Sequence, residues 1–297
     1  MKLVQGDKIG IIALAGVCEG KKSKNNESDK LTEAKKTFEE LGFRVEFSKN
    51  IYDENDYLAG SDEDKISELH RFFKDSEIKL ILNARGGYGS IRLLDKIDYD
   101  IIKNNPKPFC GYSDITALLL MIYKNTGLET YHSPMALSGF EEEEQKKYNY
   151  ENFLTALSGK KYTIDGSKIY KSGKAEGIIW GGNLSTVVSL CGLDFIPNKD
   201  FIFFTEDLNE PVYKIDKMFQ QLFNIQLFRK NCKGIVLGDF LKPDSEELLE
   251  RYFSTFAEKY LIPMYGGFRI THLPNKVTIP IGRIATLDNG MLVIHSS

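Results

Sequence analysis

Metal-binding, redox and nucleic-acid signatures are missing from this chain of 297 residues. Its four cysteines, Cys18, Cys110, Cys191 and Cys232, lie far apart with no Cys-x-x-Cys pair. They read as reduced, mostly buried thiols of a cytosolic protein. No group of Cys, His and carboxylates has metal-ligand spacing, so neither a metal nor any other cofactor is expected. Lys and Arg number 39 against 42 Asp and Glu, a net charge of −3 with no basic stripe, which argues against a nucleic-acid partner. No apolar run approaches the roughly 20 residues of a membrane helix, so no membrane partner is expected. The apolar run at 9–18 follows Lys2 and Lys8, as a signal peptide would. It is short, however, Asp7 stands directly before it, and no small-x-small cleavage site follows. Val17 before Cys18 also argues against a lipoprotein signal. A buried first strand is the better reading, and the cytoplasm is the expected compartment. Internal repeats and low-complexity segments are absent as well.

What is present is an ordinary globular composition, long enough for two domains or one large α/β unit. The first half alternates strand and helix. Residues 9–15, 43–47, 80–83 and 109–112 read as strands. A helix capped by Ser28-Asp29 runs to Gly42, and another covers 62–74 with Ile66, Leu69, Phe72 and Phe73 on one face. A short helix covers 89–94, and a further helix covers 114–124 and stops near Gly127. This alternation predicts a parallel, Rossmann- or flavodoxin-like sheet covered by helices, with ligands at the carboxyl ends of its strands. The polar run 141–147 reads as an exposed helix start, and 159–173 as loop. The second half has another rhythm: strands at 201–205 and 234–237, helices around 215–223 and 245–260, and a hairpin turning at Asn289-Gly290. The expected organisation is an α/β domain over 1–145, a crossover over 146–172 and a smaller, β-rich α+β domain over 173–297.

The most informative local feature is Gly111-Tyr112-Ser113, followed by Asp114-Ile115-Thr116. It ends an apolar run and opens an amphipathic one. A serine at such a strand-to-helix turn presents its hydroxyl, and the N–H groups behind it can stabilise a developing negative charge. The competing reading is an N-cap, although Thr116 lacks the carboxylate of a capping box and Ile115 stands where G-x-S-x-G has glycine. The glycine turn Arg85-Gly86-Gly87-Tyr88-Gly89 ends the preceding strand. It could hold a phosphate, but it matches no nucleotide fingerprint. Beside Ser113, the N–H groups of Gly87 (or Gly86) and Asp114 would point at one oxyanion. A serine nucleophile needs a base, and histidine suits neutral pH. Of the four histidines, His70 lies at a helix border and His295 near the end. His132 follows a strand and His272 lies in a loop punctuated by glycine and proline, so both remain candidates. Glu206 and Asp207 follow an apolar run, and either could orient an imidazole. Acids before a helix also cap it, which is the better reading for Asp207 and Glu210.

Taken together, Gly6-Asp7-Lys8-Ile9-Gly10-Ile11, Tyr57-Leu58-Ala59-Gly60, the 84–89 and 107–116 turns, Gly181-Gly182-Asn183-Leu184-Ser185, Glu206-Asp207, Tyr213-Lys214-Ile215-Asp216 and His272 before Ile279-Pro280-Ile281-Gly282 resemble the LD-carboxypeptidase family. The resemblance covers nearly the whole chain. It implies a serine peptidase with Ser113 as nucleophile, His272 as base and Glu206 as orienting acid, and it gives His132 a structural role. It implies a site between two domains, a homodimer and a small-peptide substrate: a murein tetrapeptide cut before its terminal D-Ala, in the cytoplasm. Within the family, the alternative is self-immunity hydrolysis of peptidyl-nucleotide antibiotics; outside it, a non-catalytic ligand-binding protein on the same scaffold. Gly87 and Asp114 N–H groups are the expected oxyanion donors. Arg85, Gly86, Asn183 and Trp180 are the further candidates for substrate contact.

Overall fold

The computed structural model describes residues 3–18, 30–140 and 143–297. The Ser28-Asp29 cap lies outside the described residues. Two compact units divide the chain: Met1–Ser158 with Thr278–Pro280, and Gly159–Val277 with Ile281–Ser297.

The first unit alternates strand and helix. Its elements in chain order are β1 (Lys8–Ile12), α1 (Lys30–Glu40), β2 (Arg44–Phe47), α2 (Asp62–Lys74), β3 (Ile78–Asn83), α3 (Tyr99–Asn104), β4 (Phe109–Gly111), α4 (Thr116–Thr126), β5 (Thr130–His132) and α5 (Glu143–Leu157). The sheet order is Ile279–Ile281, β5, β4, β3, β1, β2. The pairs β1–β2, β1–β3, β3–β4 and β4–β5 are all parallel. Ile9, Ile11, Ile12, Leu80, Ile81 and Leu82 have no exposed surface, as expected of strands covered on both faces. Helix α2 starts where the Ser61 hydroxyl accepts the Asp64 N–H, with Asp62, Glu63 and Asp64 complementing its dipole. Its buried face differs from the sequence expectation. Lys65 is buried with Leu69, Phe72 and Phe73, while Ile66 is half-exposed.

The second unit holds β6 (Tyr162–Asp165), β7 (Lys168–Lys171), β8 (Ala175–Asn183), α6 (Leu184–Ser189), β9 (Phe201–Leu208), α7 (Val212–Asn224), α8 (Gln226–Asn231), β10 (Cys232–Leu241), α9 (Glu246–Tyr260) and β11 (Met264–Gly266). After β12 (Ile279–Ile281), which pairs in the first sheet, come β13 (Ile284–Asp288) and β14 (Met291–Ile294). The order is β6-β14-β13-β8-β9-β10-β11-β7, with a parallel centre of β8, β9, β10 and β11 and antiparallel flanks. An aromatic layer supports its helices: Phe256 packs edge-on against Phe219 and Phe223, at ring-centroid distances of 5.1 and 4.8 Å. The β13–β14 turn uses Asn289 and Gly290, both with positive φ, as a two-residue hairpin demands.

Two expectations need correction. Residues 159–173 are not loop, since β6 and β7 lie there at opposite edges of the second sheet. The 146–172 crossover is therefore not a linker: α5 occupies its first part, and the division falls between Ser158 and Gly159.

Candidate active site

Ser113 opens a 3-10 turn, Ser113–Ile115, that leads straight into α4. No side chain caps either start, so the N-cap reading of Ser113 does not hold. Its φ of +62° is left-handed, a conformation that costs a non-glycine residue about 1–3 kcal/mol and that is typical of a nucleophile held on a tight strand-to-helix turn. The glycine turn lies against it. A β-carbon on Gly86 would stand 3.0 Å from Ser113 Cβ, 3.1 Å from Ser113 Oγ and 3.6 Å from the Asp114 nitrogen. Gly86 thus brings bare backbone to the serine, and its carbonyl oxygen accepts the Gly16 N–H at 3.2 Å. Asp114 adds a second tie, because its carboxylate accepts the Ser90 N–H at 2.9 Å. The two strand-end turns are therefore held side by side.

The second unit brings Glu206 and His272 together. Glu206 stands on β9 with no exposed surface. His272 sits in the loop after β11, and its Nδ1 lies 2.7 Å from Glu206 Oε2. A buried carboxylate there fixes the ring orientation and favours the tautomer with the proton on Nδ1. The loop is pinned on both sides of the histidine, by Asp239 N–H to the Ile270 carbonyl at 2.9 Å and Val277 N–H to the Arg269 carbonyl at 2.9 Å.

Sequence comparison adds the decisive observation. Residues 9–133 match the LD-carboxypeptidase N-terminal domain, and residues 176–287 match the LD-carboxypeptidase C-terminal domain. The chain belongs to the LD-carboxypeptidase family. This LD-carboxypeptidase is 34% identical to the probable murein peptide carboxypeptidase of Bacillus subtilis (strain 168), over 96% of this chain and 90% of that one. It is 31% identical to the microcin C7 self-immunity protein MccF of Escherichia coli, over 83% and 82%. Among solved structures, an MccF-like protein from Bacillus anthracis str. Ames superposes with a TM-score of 0.89 at 30% identity, over 100% of this chain and 99% of that one. The chain is accordingly a serine carboxypeptidase, a hydrolase with no membrane-spanning helix among its described residues.

The remaining candidates of this LD-carboxypeptidase divide into two groups. Arg85 donates through Nη1 to the Val17 carbonyl at 2.8 Å and also lines an open cleft of about 650 Å³. The cleft includes Gly16, Gly87 and an exposed pair of tyrosines, Tyr57 and Tyr88, with ring centroids 5.8 Å apart. Sequence reading missed that pair, although Tyr88 lies inside the glycine turn. Asn183, by contrast, is a structural cap. Its Oδ1 accepts the Thr186 N–H at 3.1 Å and its Nδ2 donates to Asp207 at 3.0 Å. Asp207 also accepts the Ser185 N–H at 2.8 Å, so this acid caps α6 from the neighbouring strand rather than the helix that follows it. Burial pushes its carboxyl pKa up, against those N–H donors.

Trp180 has no exposed surface and packs among Phe195, Phe201, Phe203 and Phe228, so it belongs to the core and offers no substrate surface. His132 is buried on β5, edge-on to Tyr112 at 5.8 Å. His70 accepts the Asp98 N–H at the start of α3. His295 meets Thr286 across the terminal hairpin at 2.9 Å. Glu210 pairs with Lys214 at 3.6 Å, while Asp244 accepts the first N–H of α7.

Proposed function

We propose that this LD-carboxypeptidase removes the terminal D-Ala of murein tetrapeptides in the cytoplasm, as a homodimer, through an acyl-enzyme on Ser113. The observation that carries the reading is the pairing of His272 with the buried Glu206 at 2.7 Å, a ready-made base with its orienting acid. The left-handed Ser113 turn against Gly86 supports it. His272 Nε2 takes the Ser113 proton as Oγ attacks the amide carbonyl. Glu206 accepts the hydrogen bond from Nδ1 and stabilises the imidazolium. The Gly87 and Asp114 N–H groups hold the oxyanion of the tetrahedral intermediate. His272 then protonates the departing amine of D-Ala, and water, deprotonated by the same imidazole, releases the acyl group. Arg85 and Gly86, beside the cleft, are the proposed contacts to the peptide. The names of the relatives in Bacillus subtilis and of a murein tetrapeptide carboxypeptidase in Pseudomonas aeruginosa support this substrate.

The exposed Tyr57–Tyr88 pair favours one second reading, hydrolysis of a peptidyl nucleotide whose base would stack on an aromatic ring. The similar Escherichia coli protein MccF has been solved in complex with aspartyl sulfamoyl adenosine. Competition decides between them. A murein tetrapeptide and aspartyl sulfamoyl adenosine are offered together to the purified enzyme, and products are followed by mass spectrometry. The proposal expects D-Ala to appear first with the nucleoside largely intact; preferential cleavage of the nucleoside would transfer the assignment to the second reading.

A further inference from the structure

The first unit holds four arginines, Arg44, Arg71, Arg85 and Arg92. Three of them face a carboxylate: Arg44 meets Glu77 at 3.2 Å, Arg71 meets Glu46 at 2.6 Å and Arg92 meets Asp62 at 2.9 Å. Among the described residues, no carboxylate forms an ion pair with Arg85. Yet Arg85 is half-buried, and a charge drawn out of water costs free energy unless an anion or hydrogen bonds answer it. One bond does so, from Nη1 to the Val17 carbonyl at 2.8 Å. That bond fixes the guanidinium plane. The planar fork keeps further N–H donors, and their spacing suits the two oxygens of a carboxylate.

The cation stands beside the glycine turn. A β-carbon on Gly16 would lie 3.1 Å from the Gly86 carbonyl oxygen, 3.6 Å from Arg85 Nε and 3.7 Å from Gly87 Cα. One point thus borders both the guanidinium and the residue whose N–H is read as an oxyanion donor. Gly16, Arg85 and Gly87 line the same open cleft. In a carboxypeptidase the leaving residue ends in a free carboxylate. That carboxylate lies within one residue's span, about 3.8 Å, of the scissile carbonyl. A cation next to Gly87 is therefore placed where the carboxylate needs one.

We propose that Arg85 binds the terminal carboxylate of the leaving residue and so restricts the enzyme to peptides with a free C-terminus. The inference rests on the reading of Ser113 as nucleophile and of Gly87 as oxyanion donor, and it gives the peptide contact of Arg85 a chemical partner. Glu54 and Asp56 line the same cleft, and their sign disfavours a polyanion. A single carboxylate is the anion that the cleft admits. A bidentate guanidinium–carboxylate pair supplies direction as well as charge, so a lysine at this position would restore only part of the effect.

The test sets a murein tetrapeptide against the same peptide with its terminal carboxylate amidated, for wild type, Arg85→Gln and Arg85→Lys. Wild type should prefer the free acid by about 10- to 100-fold in kcat/KM, the worth of hydrogen bonds to a charged group. Arg85→Gln should bring acid and amide within about threefold of each other, by losing activity on the acid chiefly through KM. Arg85→Lys should fall between. A role confined to the Val17 contact would instead slow both substrates together and leave the preference intact. Equal wild-type rates on acid and amide, or a wild-type preference kept by Arg85→Gln, overturns the proposal. If a thermal melt shows that Arg85→Gln is unfolded, Arg85→Lys decides, and an undiminished preference there overturns it. If wild type cleaves neither peptide, the murein reading fails by itself and calorimetry on Ser113→Ala decides. N-acetyl-D-alanine should then bind more tightly than its amide, and adding Arg85→Gln should abolish the difference. Equal binding of the two, or binding of neither, overturns the proposal.

Discussion

Nδ1 of His272 and Oε2 of Glu206 are 2.7 Å apart, and Glu206 has no exposed surface. The imidazole is therefore oriented by a carboxylate that water does not reach. Replacing that carboxylate by an amide keeps the shape but favours the wrong tautomer. Glu206→Gln should lower kcat by about 10³- to 10⁴-fold with little change in KM. Steady-state kinetics beside a far-UV CD melt separates this from unfolding; loss of less than about tenfold would remove Glu206 from the orienting role.

Gly86→Ala tests the contact between the two turns. Its methyl group would stand 3.0 and 3.1 Å from Ser113 Cβ and Oγ, so the serine must shift by a few tenths of an ångström. Small misplacements of a nucleophile are costly, and kcat should fall roughly tenfold with the melting temperature nearly unchanged. Unaltered turnover would show that Gly86 does not set the position of Ser113.

The tyrosine pair makes a prediction of the opposite kind. Tyr57 and Tyr88 are 63% and 47% exposed, too open to serve the fold. If the cleft they line takes part of the substrate, Tyr57→Ala and Tyr88→Ala should each raise KM roughly 3- to 10-fold and leave kcat and stability alone. A changed kcat with constant KM would contradict a binding role.

Stability in acid should depend on Arg71. Burial raises the pKa values of Glu46 and Glu68, but the bonds and charge of Arg71, at 2.6 and 2.8 Å, together with Lys8 at Glu46 and the Lys49 N–H at Glu68, outweigh it, and both carboxyls end below the ordinary glutamate value. A depressed carboxyl pKa contributes stability that is present above the unfolded value and lost as pH falls through the folded one. Arg71→Leu should therefore cost about 1–2 kcal/mol at pH 7, a modest figure because Arg71 is partly exposed. In urea melts the difference should shrink steadily below about pH 4. A gap independent of pH would assign Arg71 a packing role only.

Much of the first sheet was legible because its strands are short apolar runs separated by punctuated helices. The Ser113 turn was legible for the same reason, since strand end, glycine and helix start are adjacent in sequence. The pairing of Glu206 with His272 spans 66 residues and could be expected only from family resemblance. Trp180 stood as a candidate substrate contact because it is the one tryptophan of the chain, whereas β8 is buried from Ile178 to its end at Asn183. Strands β6 and β7 escaped notice because they flank a polar turn yet pair with distant partners, β14 and β11. Lys65 was not among the residues that the apolar pattern of this helix singles out. Its position four before Leu69 and seven before Phe72 places it on the inner stripe of α2, a signal that residue type concealed.

The most direct test of the central claim is D-Ala release from a free murein tetrapeptide by wild type, Ser113→Ala and His272→Ala, with and without a chelator. The account predicts release by wild type alone, unaffected by the chelator, with both variants folded and slower by about 10⁴-fold or more. Release by Ser113→Ala at a wild-type rate, or no release by well-folded wild type, would contradict it.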